Sequence, residues 1–377
     1  MTVDASHPSP PTWFQRFLLP GLAFKAVVIG GGYATGRELA EFFVPSGPWG
    51  GIAAMLVAML LFSLVCIATF LFARATATRD YVSFFKELLG PGWVLFEGVY
   101  ILFVVLILAV YGAAAGAIGE AVFGAPLYAG TLALMAGIIL FVTFGNSSVE
   151  RLFEYVSYLL YGVYALFVIL AFASFGDRIA AGFALDVPAQ GWAVGGATYA
   201  SYNLIGAIVI LPVVRHLTSS RDAVVAGAIC GPLAMIPALL FFTAMMAYYP
   251  EVGDATLPSD FLLERMGFPA FHLLFQLMIF SALLESGASA VHAINERVDK
   301  AWLQRRGQAL THRARLTISL VLLVSCMFLA GRFGLVALIA NGYRALAYLM
   351  LAFFVVPLLT LGVWRLWRQR SIQLEVA

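Results

Sequence analysis

Glu285 stands inside an apolar run over 268–298, beside Ser286 and one helical turn before Ser289. Holding a carboxylate at the centre of a membrane helix costs about 2.5–3.5 kcal/mol on insertion scales, and such groups face cavities and mark ion or proton pathways. Ser281, Glu285, Ser289 and His292 recur at helical spacing and share one face. A carboxyl group there can take up and release a proton. Ser286 can instead complete a sodium site with backbone carbonyls from elsewhere in the bundle. The plainer alternative is a structural ion pair, with Lys25 of the first apolar run as the candidate partner. Lys25 itself either occupies the place of a coupling cation or snorkels to the interface.

Backbone groups offer a second chemistry. Gly30-Gly31-Gly32-Tyr33-Ala34-Thr35-Gly36-Arg37-Glu38 interrupts the run over 17–43. Each glycine costs about 1 kcal/mol against Ala inside a helix, so the helix is expected to break and unwind near 31–35. Amides and carbonyls freed there cannot face lipid and must line an enclosed site. Gly30, Gly31, Gly32, Tyr33 and Thr35 are therefore candidate solute-binding positions. The amides of Gly31, Gly32 and Tyr33 would meet an anionic solute group at the positive end of the following half-helix.

A second interruption is expected near 195–201, within Gly195-Gly196-Ala197-Thr198-Tyr199-Ala200-Ser201-Tyr202-Asn203. Gly195, Gly196, Thr198, Tyr199, Ser201, Tyr202 and Asn203 join the candidate binding set. There the tyrosines would cover the solute and Asn203 would supply a directional hydrogen bond. Close helix packing through small residues is the competing use of both glycine runs. Arg37, Glu38 and Glu41, with Arg344 from the last span, are read as an outer gate or a solvated vestibule rim. Two arginines near one vestibule favour an acidic or zwitterionic solute.

The elements that must position these residues are membrane helices. The chain is 62% hydrophobic and 11% charged, with a mean hydropathy of +0.94. That excludes an ordinary soluble domain, where about 25% of residues are charged. Windows long enough to cross about 30 Å of hydrocarbon fall at 17–43, 50–73, 93–122, 125–145, 152–175, 190–214, 223–249, 268–298, 315–331 and 339–364. A short interfacial helix is expected at 81–89, ended by Gly90-Pro91-Gly92. Residues 1–16 read as a disordered cytosolic tail without the pattern of a secretory signal, 17–366 as one transmembrane domain, and 367–377 as a cytosolic tail. With both termini inside, only Arg178, Arg265 and Arg332 fall in outer loops, while the remaining loop Lys and Arg are cytosolic. That fixes the expected orientation of the chain, with both termini cytosolic.

The interrupted spans are the first and sixth, so each opens a half of five spans, about 17–176 and 188–366. An odd number of spans per half inverts one against the other, an arrangement found in transporters with a midplane site. The run Gly30–Leu39, with Phe42-Phe43 and Pro45-Ser46-Gly47-Pro48, resembles the YkvI-type bacterial membrane proteins. These are similar in turn to the amino acid–polyamine–organocation superfamily with the LeuT-type five-plus-five fold. The resemblance implies an all-α bundle of ten helices with helices 1 and 6 broken. It also implies a gate role for Arg37, which sits where many relatives carry an extracellular-gate arginine. Lys25 and the Glu285-Ser286 pair depart from the sodium-coupled members.

Cys66, Cys230 and Cys326 lack paired or metal-ligand spacing, and no enzymatic motif is present. No cofactor, metal or nucleic acid is implied. The expected function is secondary transport of an amino acid or related zwitterion or amine by alternating access, with proton coupling. A transporter-fold solute sensor and a sodium-coupled symporter are the alternatives.

Overall fold

Backbone amides in hydrocarbon must be satisfied within their own segment, and each apolar run closes into a helix accordingly. The computed structural model describes residues 10–29, 31–144 and 147–368. The side chains of 31–32 and 144–159 fall outside that description. Span 1 comprises α1 (Leu19–Val28), α2 (Gly31–Ala34) and α3 (Arg37–Phe42). Span 2 is α4 (Gly47–Ala75), and α5 (Tyr81–Leu89) is the interfacial helix at the expected place. The Asp80 side chain caps α5 by accepting from Ser83 N at 3.0 Å. Spans 3 to 5 are α6 (Trp93–Phe123), α7 (Leu127–Phe144) and α8 (Ser147–Phe183).

Span 6 comprises α9 (Trp192–Asn203) and α10 (Ile205–Val209), and span 7 is α11 (Ser220–Met245). A short helix, α12 (Pro258–Met266), folds the acidic loop before α13 (Pro269–Arg306), which is span 8. At 38 residues α13 is well beyond the twenty or so that cross a bilayer. Then α14 (His312–Ala337) turns at Gly334, and span 10 continues through α15 (Arg344–Met350) to residue 368. Widened turns punctuate this last span.

The N-terminal boundary moves. Helical structure begins at Trp13 rather than after Arg16. The cause is local: Gln15 Oε1 accepts from Thr12 N at 2.9 Å, and Arg16 donates twice to Asp222, at 2.9 and 2.8 Å. The rest of that tail, and residues 369–377, lie outside the described residues.

The helices sort into two packed groups. Spans 1, 2, 6 and 7 contact one another, as do spans 3, 4, 8 and 9. Within the first group α1 meets α10 and α3 meets α9, so the two discontinuous spans lie side by side. The site described below lies where the two groups face each other.

Candidate functional site

Span 1 breaks twice. Ile29 leaves the helix at φ −84°, ψ 61°, and Gly36 takes φ +77°, a left-handed conformation open mainly to glycine. Between the breaks, α2 is a single helical turn. The expected unwinding through 31–35 is thus replaced by breaks on either side of that turn. Gly30 lies outside the described residues, and so do the surroundings of Gly31 and Gly32.

Span 6 departs further from expectation. Residues 195–201 are a continuous part of α9, and the helix is interrupted only at Leu204. The glycines serve packing instead. A Cβ on Gly195 would lie 2.3 Å from Phe42 O, and one on Gly196 would lie 2.2 Å from Ala54 O. They let α9 approach spans 1 and 2 to backbone contact, which needs no unwinding. Gly196→Val is therefore expected to cost more than the about 1–3 kcal/mol typical of overpacking, because backbone cannot rotate away. Loss of the folded fraction on size-exclusion in detergent measures it, and a normally folded variant would contradict this packing.

The cavity between the helix groups has a volume of about 350 Å³ and is lined from spans 1, 3, 6, 8 and 10. Its polar lining is Glu38, Tyr100, Tyr111, Tyr202, Asn203, Glu285, Ser286, Ser289 and Tyr343. Of the expected span-6 binders, Tyr202 and Asn203 reach it. Thr198 and Ser201 are buried elsewhere, and the Ser201 hydroxyl donates to Ala197 O at 2.6 Å. Asn203 Nδ2 donates to Tyr199 O at 3.1 Å. Tyr199 is fully buried against Phe42, Phe43 and Phe62, and its hydroxyl finds no partner among the described residues. Tyr33 is also fully buried, its hydroxyl 3.2 Å from that of Tyr164. Thr35 is buried at the second break, its Oγ1 accepting from Arg37 N at 3.3 Å.

Glu38 is the main correction among the charged residues. Read as part of a gate or rim, it is instead 5% exposed and lines the central cavity. Tyr202 donates its hydroxyl to Glu38 Oε2 at 2.5 Å, tying span 6 to span 1. The helical register explains the move: α3 starts at Arg37, so the next residue turns inward while Arg37 faces the loop. Of the expected face Ser281, Glu285, Ser289 and His292, only Glu285 and Ser289 line the cavity, joined by Ser286. Lys25 does not. Its ammonium lies 4.3 Å from the centroid of Tyr161, in a separate cavity with Tyr164 and Pro237. Tyr161 is also within electrostatic range of Glu285.

At the end carrying α12, the loop packs onto the second break of span 1. Arg37 is 5% exposed, and its Nη1 donates to Gly253 O and Ala255 O at 2.8 and 2.9 Å. Its Nη2 donates to Glu41 Oε2 at 3.0 Å, and Arg344 lies 3.5 Å from the other Glu41 oxygen. Arg37, Glu41 and Arg344 thus come together, but none of them lines the central cavity. Ser259 N donates to Thr35 O at 3.0 Å, pinning the start of α12 onto the break. Asp260 then reaches span 8, where its Oδ1 meets His272 Nε2 at 2.5 Å and accepts from Gln276 Nε2 at 2.6 Å. Sequence reading missed this bridge; the acid in a loop and the His-Gln pair one helical turn apart were its only signal.

Toward the opposite end the cavity extends past Tyr100, Val209 and Ala293. There Arg297 of α13 makes a bidentate pair with Glu97 of α6. The guanidinium also lies over Tyr81 and Tyr100, 4.1 and 4.5 Å from the ring centroids, and those two rings stack. Among the described residues no group of three His, Cys, Asp or Glu side chains is arranged to hold a metal ion.

No family model matches the chain. In sequence it is 23% identical over 338 residues to the membrane protein YkvI of Bacillus subtilis (strain 168), a similarity covering 88% of this chain and 93% of that protein. In structure it is similar to MhsT in complex with L-phenylalanine, with a TM-score of 0.59, 18% identity and 90% and 88% of the two chains covered. A Na+-coupled sialic acid symporter in a substrate-bound outward-open state gives 0.60, at 12% identity over 91% and 78% of the chains. Mhp1 in an inward-facing conformation gives 0.50, at 16% identity over 93% and 80%. The expected resemblance to YkvI-type proteins holds, and the fold is that of an all-α polytopic membrane protein of the LeuT type.

Proposed function

We propose that this chain is a secondary transporter that moves a small polar solute across the bacterial cytoplasmic membrane by alternating access, driven by protons. The observation that carries the reading is the central cavity. It lies between two separately packed helix groups, beside the breaks of span 1, and extends past Tyr100 and Ala293 toward Arg297. A site of about 350 Å³ suits a solute of amino-acid or small-amine size. The positive-inside bias assigns the extended end to the cytosol, so both termini are cytosolic and the α12 loop is external. The relatives of the same fold are named as symporters or as complexes with small solutes, which supports transport rather than enzymatic work.

Glu285, Ser286 and Ser289 remain coupling candidates, now joined by Glu38. Lys25, set apart over Tyr161, is not assigned a part in coupling. Proteoliposomes loaded with a mixture of radiolabelled amines and amino acids provide the test. An imposed pH gradient at symmetric sodium is expected to move solute at least tenfold faster than without one. Movement that follows a sodium gradient at clamped pH and ignores the pH gradient would replace the proton with sodium at the Glu285–Ser286 face. Specific binding with no flux under either gradient would leave a sensor.

A further inference from the structure

Resting on that reading of the cavity, we propose that Glu38 is the point at which a cationic amine and a proton compete, so that the chain exchanges one for the other. The described cavity lining carries two carboxylates, Glu38 and Glu285, and no Lys or Arg. Tyrosine rings from spans 3, 6 and 10 complete it. Carboxylate and aromatic faces together recognise an ammonium group. Among the described lining residues no cationic side chain is present to balance an anionic group.

The arginines that would recognise a solute carboxylate are engaged at the external loop. Arg37 is held by Gly253, Ala255 and Glu41, and Arg344 faces Glu41. The carboxylate of the acidic or zwitterionic solute suggested by the sequence therefore has no counter-charge among the described lining residues.

Glu38 is buried, and the Tyr202 hydroxyl donates to it. Among the described residues no Lys, Arg or His forms an ion pair with it. A buried carboxylate without a counter-ion is neutralised either by a proton or by a bound cation. The exchange step is balanced. The neutral Glu38 carboxyl group meets an alkylammonium ion, a carboxylate–ammonium pair forms, and one proton leaves through the extended end of the cavity. The reverse step releases the amine when a proton arrives.

The groups facing Glu38 are Tyr33 of its own span, Tyr199 and Tyr202 of span 6, Tyr111 of span 3, Tyr343 of span 10 and Glu285 of span 8. The phenols stay neutral near pH 7. The carboxyls alone can exchange a proton there, and lower pH must weaken amine binding.

Three probes that share a phenylethyl group and differ in charge test this on the purified full-length protein: 2-phenylethylamine, L-phenylalanine and 3-phenylpropionate. Calorimetry in buffers of different ionisation enthalpy reads affinity and proton release together. The amine is expected to bind at least tenfold more tightly than the zwitterion, with no binding of the anion. About one proton is expected to leave per amine bound, with affinity falling about tenfold per pH unit on the acid side. Glu38→Gln should lower amine affinity about 100-fold and abolish proton release, and Glu38→Asp should retain release. Glu264→Gln, on the external loop, should change neither.

Failure of the wild type to bind both 2-phenylethylamine and choline overturns the proposal. So does amine binding without proton release, or release abolished by Glu285→Gln and not by Glu38→Gln. Flux assays keep the two readings apart. Proton-linked amine binding without transport leaves the Glu38 assignment and removes the transporter. Zwitterion transport that survives Glu38→Gln leaves the transporter and removes the exchange.

Discussion

Arg37→Ala is expected to loosen the end of the protein that carries α12, raising labelling of a buried reporter from that side by about 100-fold or more. Arg37 holds the loop before α12 through two carbonyls, Gly253 O and Ala255 O, and holds Glu41 through its other nitrogen. Hydrogen bonds from a charged donor contribute about 1.5–3 kcal/mol each. Losing the two to the loop removes about 3–6 kcal/mol from the closed arrangement, enough to shift a two-state equilibrium by two orders of magnitude or more. Lysine should rescue poorly, since a point charge cannot reproduce the forked geometry that reaches both carbonyls and Glu41 together. The reporter is Thr198→Cys, a position 8% exposed in α9 of span 6. A membrane-impermeant maleimide added from the loop side should label it slowly in the parent and rapidly with Arg37→Ala. An unchanged rate would mean that the loop is held by Ser259 and Asp260 without Arg37.

The second large effect is on stability, at the opposite end. Glu97→Ala is expected to destabilise the protein by about 1–3 kcal/mol, between the values for exposed and fully buried ion pairs, because this pair is only partly buried. Arg297 would keep its contacts with Tyr81 and Tyr100 but lose both carboxylate bonds. Because the pair joins α6 to α13, and Tyr81 of α5 also donates to Glu97 at 3.3 Å, three elements loosen at once. Combining Glu97→Gln with Arg297→Met should recover most of the loss, since a matched neutral pair restores packing without a bare charge. Thermal unfolding in detergent reads the parent and both variants. Equal stability of Glu97→Ala and the parent would make the pair a solvated surface contact.

Much of the architecture was legible in the order of residues. The interfacial helix at 81–89 matches α5 to the residue, because Asp80 and Gly90 are local start and stop signals that need no partner. The shared face of Glu285 and Ser289 likewise follows from helical spacing alone, and both line the cavity. Gly195 and Gly196 were misread for the opposite reason. Sequence records that a side chain is missing, and only the neighbouring helices decide whether the vacancy serves unwinding or contact. Phe42 O and Ala54 O fill it here.

The chain by itself determined that this is a bundle of membrane helices, with a discontinuity in the first span and buried polar residues that need partners. Hydrophobic length and backbone satisfaction are properties of each segment, so they survive without knowledge of the fold. Tertiary structure alone decided which charges meet. Glu38 and Glu41 are one turn apart on the same helix, yet the first faces the central cavity under Tyr202 and the second meets Arg37 and Arg344. Lys25 and Glu285 both lie inside spans, yet they line different cavities. Burial and the identity of the opposing helix set the environment of a charged group, and neither is a local property of the sequence.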